Sequence, residues 1–142
     1  MELNLIATGI ELIGSTVREL KIDNTIVDIE KDGTRCFGLY INEPTFQKTD
    51  DILYAQMIIE FELEIKQAEE QECRMQFSIE GVFSARGDVE DEVFKELVIV
   101  NGAAALIGIA RGKIEAISAN IFNHGKIVLP FVNVLDYYKE QL

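Results

Sequence analysis

Hydrophobic and polar positions divide the chain into two halves with different periods. In "LYAQMIIEFELEIK", Leu53, Ala55, Met57, Ile59, Phe61, Leu63 and Ile65 alternate with Tyr54, Gln56, Ile58, Glu60, Glu62, Glu64 and Lys66. Period two over fourteen residues predicts a long strand with one wet face. "QAEEQE" reads as a polar turn. "CRMQFSIEGVFSA" then alternates again, with Cys73, Met75, Phe77, Ile79 and Phe83 on one side and Arg74, Gln76, Ser78 and Glu80 on the other. Two long strands across a short turn make an antiparallel hairpin. Upstream, "RCFGLYI" places Phe37, Leu39 and Ile41 on one face after the turn signal at Lys31–Gly33. "NEPTFQKTDD" reads as a loop, because Pro44 breaks a strand. In "TGIELIGSTVRELKID", Ile10, Leu12, Leu20 and Ile22 share a parity that Gly14 and Val17 disturb, which a bulge near Gly14 explains. Four strands in one antiparallel sheet are expected.

After Asp88 the period becomes helical. "DVEDEVFKELVIVNG" starts a helix at Asp88 with acids in its first turn, and Gly102 either ends it or kinks it. A second helical pattern runs from Ala103 to about Ile121 and has two faces. Ala105, Gly108, Gly112, Ala116 and Ala119 form a narrow stripe of small residues. Leu106, Ile107, Ala110, Ile114, Ile117 and Ile121 form a broad bulky stripe opposite. A surface helix needs only one apolar face. Each interior glycine costs roughly 1 kcal/mol relative to alanine. The bulky face is expected on the sheet, and the small face against another helix, either of this chain or of a second subunit. The last stretch, "NHGKIVLPFVNVLDYYKEQL", reads as a turn, an extended crossing interrupted by Pro130, and a short helix capped by Asn133. Val134, Leu135, Tyr138 and Leu142 form that helix's apolar side.

Composition narrows the function. A chain of 142 residues with 48% hydrophobic content supports one packed domain over residues 1–142. No stretch of 18 uninterrupted apolar residues exists, so no membrane span is expected. The start lacks the basic n-region and cleavage site of a signal peptide, and a cytoplasmic protein is expected. A net charge of −12 argues against a nucleic-acid partner and favours basic or unfolded polypeptides. Cys36 and Cys73 read as reduced, buried thiols. "GIARGKI" is not a phosphate loop, because Gly108 and Gly112 are one residue too close and Ile114 stands where Ser or Thr binds magnesium. The lone His124 builds no metal site with two distant cysteines. No spaced acid/base pair selects a reaction, so the chain reads as a non-enzyme without a cofactor. Glu60, Glu62 and Glu64 form either a solvated sheet face or an acidic docking patch.

The order of elements resembles the bacterial protein-export chaperone family SecB. Gly81, Val82 and Phe83 match the family's Gly-hydrophobic-Phe end to the last strand. Ile127, Leu129, Val132 and Asn133 match much of its segment before a final helix with tyrosines, with Pro130 one place out of step. "VRELKID" is similar to its first strand, with Glu19 and Asp23 as two acids four apart. The resemblance implies an α+β fold in which a four-stranded antiparallel sheet is followed by two to three helices on one face. It implies a homotetramer, a dimer of dimers, built on the small stripe. It also implies an ATP-independent holdase that grips unfolded polypeptides in apolar grooves. Phe131, Val134, Leu135 and Tyr138 are the implied client contacts. Export members dock the motor SecA through acids on the sheet face, which here are Glu19, Asp23, Glu60, Glu62 and Glu64. The outer face of the last strand departs from that pattern, reading Arg74, Gln76 and Ser78. Related chaperones serve toxin–antitoxin pairs, so a binding module dedicated to one partner, an antitoxin or a regulatory protein, is the alternative.

Overall fold

The computed structural model describes residues 9–141; the expected contribution of Leu142 lies outside them. Strands β1 (Ile10–Asn24), β2 (Thr34–Ile41), β3 (Thr45–Thr49), β4 (Ile52–Lys66) and β5 (Glu72–Ala85) come first. Helix α1 (Asp91–Leu97), a π-helical turn (Val98–Gly102), α2 (Ala103–Ala119) and α3 (Val134–Glu140) follow. The sheet order is β1-β5-β4-β2, all neighbours antiparallel, with β3 also on β4. Five strands therefore stand where four were expected. The extra one, β3, falls in the stretch read as a loop. Asp50 and Asp51, with φ of 51° and 62°, make a two-residue turn that folds β3 back onto β4. Pro44 sits in the three-residue break between β2 and β3, at the sheet edge where its missing N–H costs no ladder bond.

The alternation of β4 and β5 decides which face is covered. Met57, Ile59, Phe61, Leu63 and Ile65 are buried on the inner face with Cys73, Met75, Phe77, Ile79 and Phe83. On β1 the register shifts twice, at Ile13 as expected and again at Arg18. Each bulge inserts one residue and restores parity, so Ile10, Leu12, Val17, Leu20 and Ile22 all share the inner face. Cys73 is buried, and that burial pushes its thiol up. Cys36 is exposed, against expectation, because it pairs with Glu64 on the outer face.

The helix begins at Asp91 rather than Asp88, after Gly87 in a left-handed conformation and an extended Glu90. It then continues to Ala119. Gly102 neither ends it nor stands alone as a kink; it closes the π-helical turn. A side chain there would meet the Phe83 ring at 3.2 Å. By length and composition the Asp91–Ala119 helix could cross a membrane. Its large side chains, Phe94, Val98, Leu106 and Ile114, are instead buried in the core with the sheet. Gly81 on β5 lets Leu106 approach, since a Cβ there would lie 3.0 Å from Leu106 Cδ1. The connection from β1 to β2 crosses between opposite sheet edges. It is tied to β5 by Thr25 N–H donating to Glu72 O, and to the turn that follows α2 by Ile29 N–H donating to His124 O. Ile26 fills the core beneath it.

Replacing Gly81 with Val forces the fully buried Leu106 and Phe83 apart. The expected loss is about 1–3 kcal/mol, as for overpacked cores. It is read as a lowered urea midpoint at unchanged slope.

Candidate functional site

Two surfaces bring together the residues with functional potential. The first is the outer face of the sheet, whose strand register sets out rows of side chains. Glu19 on β1 lies beside Ser78 on β5, Glu60 on β4 and Tyr40 on β2; Lys21 beside Gln76, Glu62 and Gly38; and Asp23 beside Arg74, Glu64 and Cys36. All five predicted acids thus share one face. They form two columns, on β1 and on β4, separated by Arg74, Gln76 and Ser78. Arg74 pairs with Glu72 and, at 3.6 Å, with Glu64, which also meets Lys66 at 3.1 Å. Of the five, only Glu64 is in an ion pair among the described residues. Glu60 accepts a hydrogen bond from Asn42 Nδ2 at 3.1 Å. Because Cys36 and Gly38 are small, a shallow depression of about 350 Å³ opens beside Glu62, Glu64 and Arg74.

Towards the other end of this face, Glu80 is buried between Arg18, which donates to Oε2, and Gln56, whose Nε2 donates to Oε1 at 2.8 Å. The Arg18 bond holds the Glu80 carboxyl below its ordinary value, burial opposes this, and the Gln56 bond adds to it. The second bulge of β1 puts Arg18 in reach.

The second surface is a groove of about 280 Å³ where the sheet edge bends. The end of β2 supplies Tyr40 and Ile41; the break after it supplies Asn42, Glu43 and Pro44; the π-helical turn supplies Ile99; α3 supplies Tyr137 and Tyr138, with Gln141 at its C-terminal cap. Asn133 caps α3 by accepting from Asp136 N–H at 3.1 Å, as its sequence predicts. Two tyrosine hydroxyls then lock the helix in place. Ile41 N–H donates to Tyr137 Oη at 2.9 Å, and Tyr138 Oη donates to Ile99 O at 3.2 Å. The two rings meet edge to face at 5.3 Å. Burial, and then Tyr137 beside it, push the Tyr138 phenol up.

Of the four expected client contacts, Tyr138 alone lines this groove. Val134 is buried in the core, which removes it from any open surface and corrects that expectation. Phe131 is 89% exposed, with the Arg111 guanidinium 4.2 Å from its ring centroid. Leu135 is also exposed. Neither belongs to the groove. Sequence reading missed Tyr40, Pro44, Ile99 and Tyr137. The outward parity of Tyr40 and the adjacent tyrosines were signals for two of them.

Ala105, Gly108, Gly112, Ala116 and Ala119 are all exposed. A Cβ at Gly108 or Gly112 would meet nothing within 4 Å. The opposite face buries Leu106, Ile107, Ala110 and Ile114, while Ile117 and Ile121 are half-covered. Ser118 is fully buried, and its Oγ accepts a hydrogen bond from Ile127 N–H at 2.7 Å.

No family model matches this chain, and no curated protein matches its sequence. Among solved structures, the chain is similar to a SecB-like chaperone of Mycobacterium tuberculosis in complex with a ChAD peptide from the HigA1 antitoxin, with a TM-score of 0.57. The fold is SecB-like. The two proteins are 9% identical, and the match covers 87% of this chain and 91% of the other. A protein of unknown function from Streptococcus agalactiae is also similar, with a TM-score of 0.53 and 13% identity over 88% of this chain and 99% of that one. At such identities the likeness is one of fold.

Glu80 gives this surface a pH signature. Its carboxyl is depressed in the fold, so ionisation stabilises the folded state. That contribution is full above the ordinary value of 4.5 and is lost as pH falls through the lower folded value. Glu80→Gln should therefore lower the melting temperature at neutral pH, and the gap to the wild type should close in acid. A gap that stays constant with pH would remove the Arg18–Glu80 pair as its cause.

Proposed function

We propose that this protein is an ATP-independent holdase that binds extended, apolar segments of other polypeptides. The observation that carries the reading is the tyrosine groove. It is mostly apolar, with Glu43 as its one charged lining residue, open, lined from both the sheet edge and α3, and set in a fold like that of a chaperone solved with a bound peptide. Aromatic walls adapt to many side chains, and a groove without convergent charges selects shape over sequence. The net charge of −12 keeps such a surface soluble and draws basic clients. Export through SecA is the broader form of this reading, with Glu19, Asp23, Glu60, Glu62 and Glu64 as the docking face. Arg74 and its ion pairs interrupt that face, which favours a second, narrower reading: a chaperone dedicated to one partner, such as an antitoxin.

Light scattering of a reduced, unfolded client separates these readings. The wild type should suppress aggregation near stoichiometry. Tyr40→Glu, at an exposed wall of the groove, should weaken suppression about tenfold with little change in melting temperature. Failure to suppress, combined with capture of a single native partner, would leave the dedicated reading.

The assembly belongs to the same proposal. The stripe of Ala105, Gly108, Gly112, Ala116 and Ala119 is the face offered to a second copy, in a homotetramer. Gly112→Leu has open space in the single chain, so it should leave the monomer fold intact while lowering the sedimenting mass. A wild type that sediments as one chain overturns this assembly.

A further inference from the structure

The turn after α2 meets the connection between β1 and β2 along a short seam. Asn123 N–H donates to Val27 O at 2.8 Å, Ile29 N–H donates to His124 O at 3.0 Å, and a parallel bridge pairs Asp28 with His124. Gly125, at φ 99°, turns the chain here, and a Cβ on it would lie 3.0 Å from Ile29 Cβ. The chain's only histidine therefore sits where two segments far apart in sequence are joined. His124 Nδ1 lies 2.8 Å from Asn123 Nδ2 and 3.2 Å from Asp28 Oδ1, and Asn123 Nδ2 is itself 3.0 Å from Asp28 Oδ1. One ring nitrogen either accepts or donates, so Nδ1 cannot serve both neighbours at once. When the ring is neutral and protonated on Nε2, the two hydrogens of Asn123 Nδ2 satisfy Nδ1 and Asp28 together. The Nδ1 lone pair then faces a carboxylate. When the ring is charged, Nδ1–H donates to Asp28, and Asn123 keeps only its bond to Asp28.

We propose that this trio is a proton-operated clasp, in which protonation of His124 turns Nδ1 from acceptor to donor and closes the seam with an ion pair. Histidine changes charge between pH 5 and 8. Asp28 stays ionised over that range, because its bond from Asn123, and then that from His124, hold its carboxyl below the ordinary 3.8. A depressed carboxyl contributes above its ordinary value and loses that contribution as pH falls through the lower folded one. The clasp is therefore closed in mild acid, above the titration of Asp28 and below that of His124. Among the described residues Asp28 is the acid in ion-pair range of the imidazole. Charges on the neighbouring elements are engaged elsewhere. Glu115 of α2 meets Lys126 of the turn at 2.9 Å, and Arg35 of β2 donates to the carbonyls of Glu30, Lys31 and Gly33. The β4–β5 turn reaches the connection through neutral Gln67, whose Nε2 donates to Asp28 O at 2.8 Å. The connection carries the buried Ile26, and the turn begins the extended crossing to α3. Closing the clasp thus fixes both where the crossing starts and how firmly the connection covers the core. The inference does not depend on what the tyrosine groove holds.

The test is native-state hydrogen exchange of the full chain at about pH 5.5 and about pH 8, corrected for intrinsic rates. Protection of the Ile29 and Asn123 amides should be about threefold greater in acid, as for an exposed ion pair, while the Phe77 and Ile79 amides of the central hairpin keep the same ratio. Asp28→Asn and His124→Gln should each abolish that difference with little change in melting temperature at pH 8. Nitrogen NMR of the single histidine reads the tautomer directly, and the neutral ring should carry its proton on Nε2. Equal protection at both pH values in the wild type overturns the clasp. So does a difference that survives in both variants, or a neutral ring protonated on Nδ1, which would leave no exchange of donor for acceptor.

Discussion

The pairing of β4 with β5 is the constraint on which the rest of the structure depends. It runs through thirteen consecutive residue pairs without a shift. Side chains alternate with period two, so one slipped residue would carry Phe61, Leu63 and Phe77 to the wet face. Both strands bury their inner faces almost completely, so such a slip would expose the whole core. The centre of the sheet therefore admits no irregularity. The bulges of β1 at Ile13 and Arg18, and the break of the opposite edge at Asn42–Pro44, all lie on edge strands.

These edge irregularities shape the surfaces that bear on function. The Arg18 bulge delivers a guanidinium to Glu80 on an otherwise neutral part of the outer face. The Pro44 break turns the edge so that Tyr40 and Pro44 form one wall of a groove. The helical side answers with an irregularity of its own, the π-helical turn. Its Ile99 carbonyl receives the Tyr138 hydroxyl, and its Gly102 rests on the Phe83 ring. A rigid central hairpin thus supports a margin of breaks and turns, and the open apolar groove lies in that margin. Stability thus resides in the centre, and the open surface lies in the margin.

The covered and uncovered faces of α2 obey the same logic from the other direction. Its bulky face closes the core, with Gly81 allowing Leu106 to seat closely. Its small face meets nothing within the chain, so interior glycines that lower helix propensity have no packing partner in one copy. Phe131 and Leu135 are large, apolar and exposed nearby in sequence. In a single copy these faces remain uncovered apolar surface.

Patterning along the chain determined the hairpin, the inner-face residues of β4 and β5, the bulge near Gly14, the two faces of α2 and the Asn133 cap. Each is a local consequence of period or of one side chain's hydrogen-bonding reach. The SecB-like order of elements was legible for the same reason. Tertiary structure alone decided the rest. The strand β3 was hidden because Pro44 punctuates an edge rather than ending the sheet, and only the pairing partner distinguishes the two. Val134 was indistinguishable from Leu135 as a surface contact, since a short helix shows its burial only once docked. The tyrosine groove joins residues nearly one hundred positions apart, and no periodicity reports a contact at that range. Cys36 faces solvent because its neighbour across the ladder is Glu64, a fact that belongs to the register and not to the residue.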